Sequence, residues 1–349
     1  MPSNPPHEME FTMPAAALLI TLTALAAPST PATIRDLPVA TEIRDLDAMV
    51  VTGNQSGPRM WKVSRGDHVM WVLGTLSPMP EKMQWQSGEV EAIVAGSQEV
   101  IWEPMIGVQV KAGVFGGLML LPGMIRVRSN PDGESLQDQL PPDLYTRWLA
   151  LKDDYIGLDW GIDNYRPVFA AMKLWEEAMD QTGMTSSSPV VELVGDLVKQ
   201  HGIRSTRPRE VLVIDDARAA MGEFRTSALD DVRCFEQTVA RLETDLQPMR
   251  ERIDAWAVGD IEALRALPYT DQEETCQAAL MQAQVVQHRL DHDLVAEATG
   301  KWFDAVDAAL ARNDSTFALL PLSDLLKPDG YLARLGEKGY TVEASLPAP

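Results

Sequence analysis

Cysteine is nearly missing from this chain: Cys234 and Cys276 are the only two in 349 residues. That excludes an all-cysteine zinc site, an iron–sulfur cluster and a multi-disulfide scaffold. Positive charge is also short. Thirty Lys and Arg face 51 Asp and Glu, for a formal net charge of −21, a field that repels phosphate backbones and anionic lipid surfaces and argues against nucleic acid as a partner. Histidine occurs five times, as His7, His68, His201, His288 and His292. No Gly-x-Ser-x-Gly elbow, Walker loop or dinucleotide fingerprint is found. No apolar run reaches the ~20 residues that a spanning helix needs.

What is present suits a folded protein. Apolar residues make up 45% and charged residues 23%, a globular composition with ample length for a core. The residues Ala15 to Ala27 are almost wholly apolar, the length of a signal-peptide core, and the small residues of Ala26-Ala27-Pro28-Ser29 and Thr30-Pro31-Ala32 offer cleavage sites. The stretch ahead carries Glu8 and Glu10 and no base, a departure from the usual positive start. We read residues 1–32 as a signal peptide, 33–58 as a linker, and the destination as periplasmic or secreted. In such a compartment a Cys234–Cys276 disulfide becomes plausible; the other reading is two small buried hydrophobes.

The folded body begins near Met60. Met60 to Ser64 and His68 to Leu73 read as strands joined by Arg65-Gly66-Asp67, a hairpin turn. The second run is apolar on both faces, as in a sheet interior. A helix around Glu89 to Ala95 leads to the short strand Val100-Ile101-Trp102, and the apolar, Gly-rich stretch Met105 to Val127 reads as buried packing. From Leu140 to Asn313 the pattern is helical. Ser188-Pro189 marks a helix start. Leu229, Val232, Phe235, Val239, Leu242 and Leu246 form one apolar stripe, with Arg233, Glu236 and Arg241 placed elsewhere. Thr316 to Leu320 and Tyr340 to Glu343 then read as strands flanking a helix from about Ser323 to Gly336. The expected fold is therefore α/β, a core in two pieces (59–104 and 314–346) split by a large, mostly helical insertion (140–313).

One local pattern resembles a metal site: His288-Arg289-Leu290-Asp291-His292 spaces two imidazoles four apart, on one face if the segment is helical. The competing reading is a solvated, charged helix face.

A larger resemblance covers residue 45 to the end. Leu73-Gly74-Thr75-Leu76-Ser77-Pro78-Met79-Pro80, then Met83-x-Trp85, a helix, and Val100-Ile101-Trp102-Glu103-Pro104 are similar to the opening of the TraB/PrgY/GumN family, to which the Tiki proteases belong. Phe317 to Leu320, Asp329-Gly330-Tyr331-Leu332 and Gly339-Tyr340-Thr341-Val342 resemble its closing strand, loop, helix and last strand. Asn164-Tyr165-Arg166-Pro167 and the segment from Cys234 to Pro268 resemble a GumN-like subgroup.

The resemblance implies a metal-dependent hydrolase or protease fold in which two Gly-x-x-His motifs hold a divalent metal. Here both are degenerate. Gly74 and Thr75 match, but Ser77 stands where the first histidine belongs, and Asp324 stands at the second. The family's basic third motif reads Glu297-Ala298-Thr299-Gly300. Glu103 and Glu297 keep acidic positions. Such a set removes the imidazoles that suit zinc and leaves carboxylates and a hydroxyl for a hard cation at best, with Glu103 and Asp324 the candidate ligands and His288 and His292 the alternative pair. The implied function is that of an exported relative without hydrolysis, binding a peptide or envelope component, with no cofactor. The alternative is a hydrolase using the carboxylate-rich site.

Overall fold

The computed structural model describes residues 57–110, 126–227, 229–244, 246–267, 272–290 and 292–344. The signal-peptide reading, most of the linker and much of the Met105 to Val127 stretch lie outside them. Gly57 and Pro58, assigned above to the linker, are already buried.

Strands β1 (Met60–Arg65) and β2 (His68–Thr75) form the expected antiparallel hairpin. Arg65 pairs with His68, so Gly66 and Asp67 make a two-residue turn, and Gly66 adopts φ +60°, which glycine allows without steric cost. The remaining strands are β3 (Met79–Pro80), β4 (Glu99–Ile101), β5 (Met105–Val110), β6 (Met184–Thr185), β7 (Arg204–Thr206), β8 (Arg209–Ile214), β9 (Ser315–Pro321) and β10 (Thr341–Ala344). Six of them make the core sheet in the order β10-β1-β2-β9-β4-β7. β2, β9, β4 and β7 run parallel, while β1 and β10 pair antiparallel at one side. The late strand β9 sits between the early strands β2 and β4, so the core is indeed split in sequence and rejoined in space. Its Thr316, Phe317, Ala318, Leu319 and Leu320 are all fully buried, as a strand covered on both faces requires. All of these elements belong to one compact unit.

At the N-terminal end of the parallel strands, Glu99 is a buried lock. It accepts hydrogen bonds from Thr206 Oγ1 (2.5 Å), Arg312 Nη2 (2.7 Å) and Asn313 Nδ2 (2.7 Å). Burial pushes its carboxyl upward, but these bonds outweigh that effect and hold its pKa below the ordinary value.

Several expectations are corrected. The insertion also supplies β6, β7 and β8; β7 extends the core sheet, and β8 pairs in parallel with β5. Met105 and Val108 in β5 are 49% and 52% exposed, so this part of the apolar stretch is not buried packing. Arg241 lies within the buried face of helix Val232–Thr244, its guanidinium 4.6 Å from the Trp175 ring centroid; a cation stacked on an aromatic face can be buried as an apolar side chain is. The single helix expected after β9 is two, Leu322–Leu326 and Tyr331–Glu337, because Pro328 disfavours the helical region for Lys327, whose ψ is 134°. Gly300 lies inside helix Leu294–Leu310. The helix start at Ser188-Pro189 holds, with helix Pro189–His201 ending at Gly202 in the left-handed region (φ +63°).

Cys234 and Cys276 are disulfide-bonded, 42 residues apart in sequence. The bond joins helix Val232–Thr244 to helix Gln272–Met281.

Candidate functional site

The parallel strands β2, β4 and β9 deliver their carboxyl ends to one side of the sheet, where the following loops form the usual ligand crevice of open α/β folds. A cleft of about 860 Å³ opens there, within the range of small-ligand sites. Its floor comes from the core: Thr75, Leu76 and Ser77 after β2, Glu103 and Pro104 after β4, and Pro321, Ser323 and Asp324 after β9. Its walls come from the insertion, through Ser186 to Ser188 and Glu192, through Gln277 and Met281, and through Ala298 and Thr299.

Thr75 ties the three strand ends together. Its hydroxyl donates to Glu103 Oε1 at 2.5 Å and lies 3.2 Å from the carbonyl oxygen of Leu320. Gly74 does not line the cleft but sets its floor. A Cβ at this position would lie 2.7 Å from Leu322 Cδ1, and the Gly74 carbonyl accepts a buried hydrogen bond from Trp256 Nε1 at 2.8 Å. Trp256 in turn packs edge-on against Trp85, with ring centroids 5.4 Å apart.

Ser77 and Asp324, which the resemblance sets at its two histidine positions, are engaged in local contacts. Ser77 Oγ donates to the Ser186 carbonyl at 3.2 Å, fastening the β2 loop to the insertion. Asp324 pairs with Lys327 at 2.9 Å. Gly330 closes that loop: a Cβ there would sit 2.1 Å from the Asp324 carbonyl oxygen, so any other residue would force the backbone apart. Tyr331 borders the cleft from beneath, stacked on Phe303 and edge-on to Trp302, with Thr299 Oγ1 3.4 Å from its hydroxyl. Burial raises its pKa, so the phenol stays neutral at physiological pH.

Of the sequence-derived site residues, the structure gathers Thr75, Ser77, Glu103 and Asp324 around one cleft, with Gly74 just beneath. Glu297 is not brought in: it is exposed near the start of helix Leu294–Leu310, and its neighbours Ala298 and Thr299 reach the cleft instead. The one-helix reading of His288 and His292 fails. Helix Gln284–Gln287 ends before both, His288 is its C-cap, and His292 precedes the N-cap Asp293 of the next helix. The two imidazoles pair with different acids, His288 Nδ1 with Glu223 Oε1 at 2.6 Å and His292 Nε2 with Glu210 Oε1 at 3.5 Å.

A divalent metal needs several ligands around one point, four in the usual zinc site and six or more oxygens for calcium. Among the described residues no group of three His, Cys, Asp or Glu is placed to hold one. Glu103 is engaged by Thr75, Asp324 by Lys327, and Ser77 offers only a hydroxyl. This set does not fit the metal that the family's histidine motifs imply.

Sequence reasoning missed the insertion's share of the lining. Of Ser186-Ser187-Ser188 only Ser188 was read, with Pro189, as a helix start, and the run of hydroxyls was the signal available. Glu192, Gln277, Met281 and Lys327 carried no local signature, since tertiary packing alone brings them to the cleft.

The fold and cleft together define a class: a mixed α/β protein with a ligand crevice at the carboxyl ends of its parallel strands. The chain matches the model of the TraB/PrgY/gumN family over residues 59–344 and belongs to that family. No curated protein and no solved structure gives a significant match. Among the described residues no helix is long and apolar enough to cross a membrane.

Proposed function

We propose that this chain is an exported, periplasmic or secreted, TraB/GumN-family protein that has lost metal-dependent hydrolysis and uses the family cleft to bind a peptide or another envelope component. One observation carries the reading. The cleft is formed and open, while the positions that would hold the metal are engaged otherwise: Ser77 with the Ser186 carbonyl, Asp324 with Lys327, Glu103 with Thr75. Loss of ligands removes the Lewis acid and the activated water without removing the groove. The Cys234–Cys276 disulfide supports export, because such bonds persist in oxidising compartments.

Metal analysis of the purified mature protein, together with a peptidase assay before and after chelation, tests this. The expected result is substoichiometric metal and no chelation-sensitive cleavage. Stoichiometric metal with activity lost on chelation would establish the second reading, a carboxylate-based hydrolase, which draws its support from Glu103 and Asp324 bordering the same cleft. N-terminal sequencing of the native protein tests export: a chain still beginning at Met1 or Met13 overturns cleavage.

A further inference from the structure

The core sheet ends at β7, which pairs with β4 on one side and, among the described residues, with no strand on the other. The ladder fixes which of its main-chain groups are used. Trp102 N–H donates to the Thr206 carbonyl at 3.0 Å, and Met105 N–H to the Pro208 carbonyl at 3.0 Å. Pairing residues alternate along such a strand, so Arg204, Thr206 and Pro208 face β4 and its continuation, while the N–H and C=O groups of Ser205 and Arg207 face outward. This is the spacing an added strand engages. The open edge is short, because the Val198 carbonyl takes Ile203 N–H and Lys301 Nζ reaches the Arg209 carbonyl at 3.2 Å.

The side chains along this edge carry a charge foreign to the rest of the chain. From Lys199 to Arg209 the sequence holds Lys199, Arg204, Arg207 and Arg209 and no acid, within a net charge of −21. Lys199 pairs with Asp196 at 3.0 Å, and Arg204 lies 3.7 Å from the buried Glu99. Arg207 and Arg209 have no acidic partner among the described residues. Both are exposed, yet both are held: Arg207 lies over the Trp102 ring at 4.0 Å, and Arg209 lies across Gly107, where a Cβ would be 2.6 Å from its Nε. Trp102 is itself fixed, its Nε1 donating to Ser205 Oγ at 2.8 Å. Two guanidiniums are thus placed before any ligand arrives, which lowers the ordering cost of binding. Neither arginine lines the cleft.

We infer that the outer edge of β7 docks a short, extended, acidic segment of a protein partner, which adds a strand beside Ser205 and Arg207 and sets carboxylates against Arg207 and Arg209. Main-chain groups at strand spacing select a polypeptide, and the two guanidiniums select acids on it. A long polyanion would meet the repulsion of the whole chain, whereas a short segment meets only charges within a Debye length, about 8–10 Å. The site is separate from the cleft and stands whether or not the cleft binds a ligand.

Calorimetric titration of the intact, disulfide-bonded protein with acetyl-Glu-Val-Glu-Val-Glu-amide tests this. Its Gln counterpart removes the charge, and acetyl-Glu-Pro-Glu-Pro-Glu-amide keeps the charge but lacks two of the N–H groups a strand needs. The Glu-Val peptide is expected to bind about tenfold more tightly than either. Arg207→Gln and Arg209→Gln should each weaken it about two- to fivefold, as loss of one solvent-exposed ion pair does, without changing the affinity of the Gln peptide. Amide exchange at Ser205 and Arg207 should slow on saturation with the Glu-Val peptide. Melting temperatures verify that the variants fold, and Arg209→Gln carries the test if Arg207→Gln unsettles Trp102. Equal binding of the Pro peptide, equal binding of the Gln peptide, or unchanged exchange at Ser205 and Arg207 overturns the inference. So does tripolyphosphate binding as tightly as the Glu-Val peptide and weakening equally with Arg209→Gln, which would make the edge a plain anion site.

Discussion

Replacing both Cys234 and Cys276 by alanine removes a cross-link whose contribution can be worked from its position. The bond spans 42 residues, and in the chain-entropy treatment a loop of that size restricts the unfolded chain by about 13 cal/mol/K, or about 4 kcal/mol at 25 °C. An unfolding entropy near 2.1 cal/mol/K per residue gives a domain spanning residues 59–344 roughly 0.6 kcal/mol/K at its midpoint, so the melting temperature should fall by about 6–7 °C. Differential scanning calorimetry of the double variant, beside wild type with and without reductant, measures this. Reduced wild type and the variant should converge, since both lose the same constraint. The effect should also be local. Helix Gln272–Met281 carries Cys276 and, in its next turn, the cleft residues Gln277 and Met281, so amide exchange in this helix should accelerate more than in β2 or β9. A reversible melting shift below about 2 °C, with unchanged exchange in that helix, would refute the claim that the bond anchors this wall.

Three further outcomes follow from buried polar contacts. Trp256→Phe strands the Gly74 carbonyl beneath the cleft and should cost about 1–3 kcal/mol in urea unfolding, with most of the apolar packing kept. Glu99 has a lowered pKa in the fold, so its contribution is complete above the unfolded carboxylate range and is lost as pH falls through the folded value; Glu99→Gln should be less stable at pH 7 and show a shallower loss of stability on acidification. Tyr340 is pushed up to about 12, by burial first and then by its hydrogen bond to Asp307. The unfolded phenol therefore ionises first, and wild type should lose stability between about pH 10 and 12; Tyr340→Phe, followed by circular dichroism across that window, should flatten the decline.

The core was legible because its signals are local. The turn at Gly66-Asp67, the two-sided apolar run of β2 and the β9 run Thr316 to Leu320 each declare themselves within a few residues. The insertion was less so. β8 contains Val211-Leu212-Val213-Ile214, a strand-like run hidden in a helical stretch, and β7 is only Arg204–Thr206, a polar edge whose strand character comes from pairing with β4. Arg241 illustrates another limit: a charge reads as solvent-facing until the ring of Trp175, in another helix, supplies its partner. The His288/His292 pair was misplaced for the opposite reason. Spacing of four is meaningful only on a continuous helix, and this helix stops at Gln287.

The segment from Gly74 to Ser77 becomes intelligible once its residues are separated by what each one touches. Gly74 answers to packing: Leu322 leaves no room for a side chain, and Trp256 takes the carbonyl. Thr75 answers to geometry, since one hydroxyl links the ends of β2 and β9 to Glu103. Neither role requires a metal. Ser77 projects beyond the strand, and its hydroxyl needs only the Ser186 carbonyl. Gly74 and Thr75 are therefore accounted for by packing and hydrogen bonding at this strand end alone. A single added ligand is insufficient to build a metal site here. Ser77→His supplies one imidazole, but Asp324 remains paired with Lys327 and Glu103 with Thr75. This single variant should gain no stoichiometric zinc by metal analysis after dialysis, because two or three further ligands would still have to be freed and brought to one point.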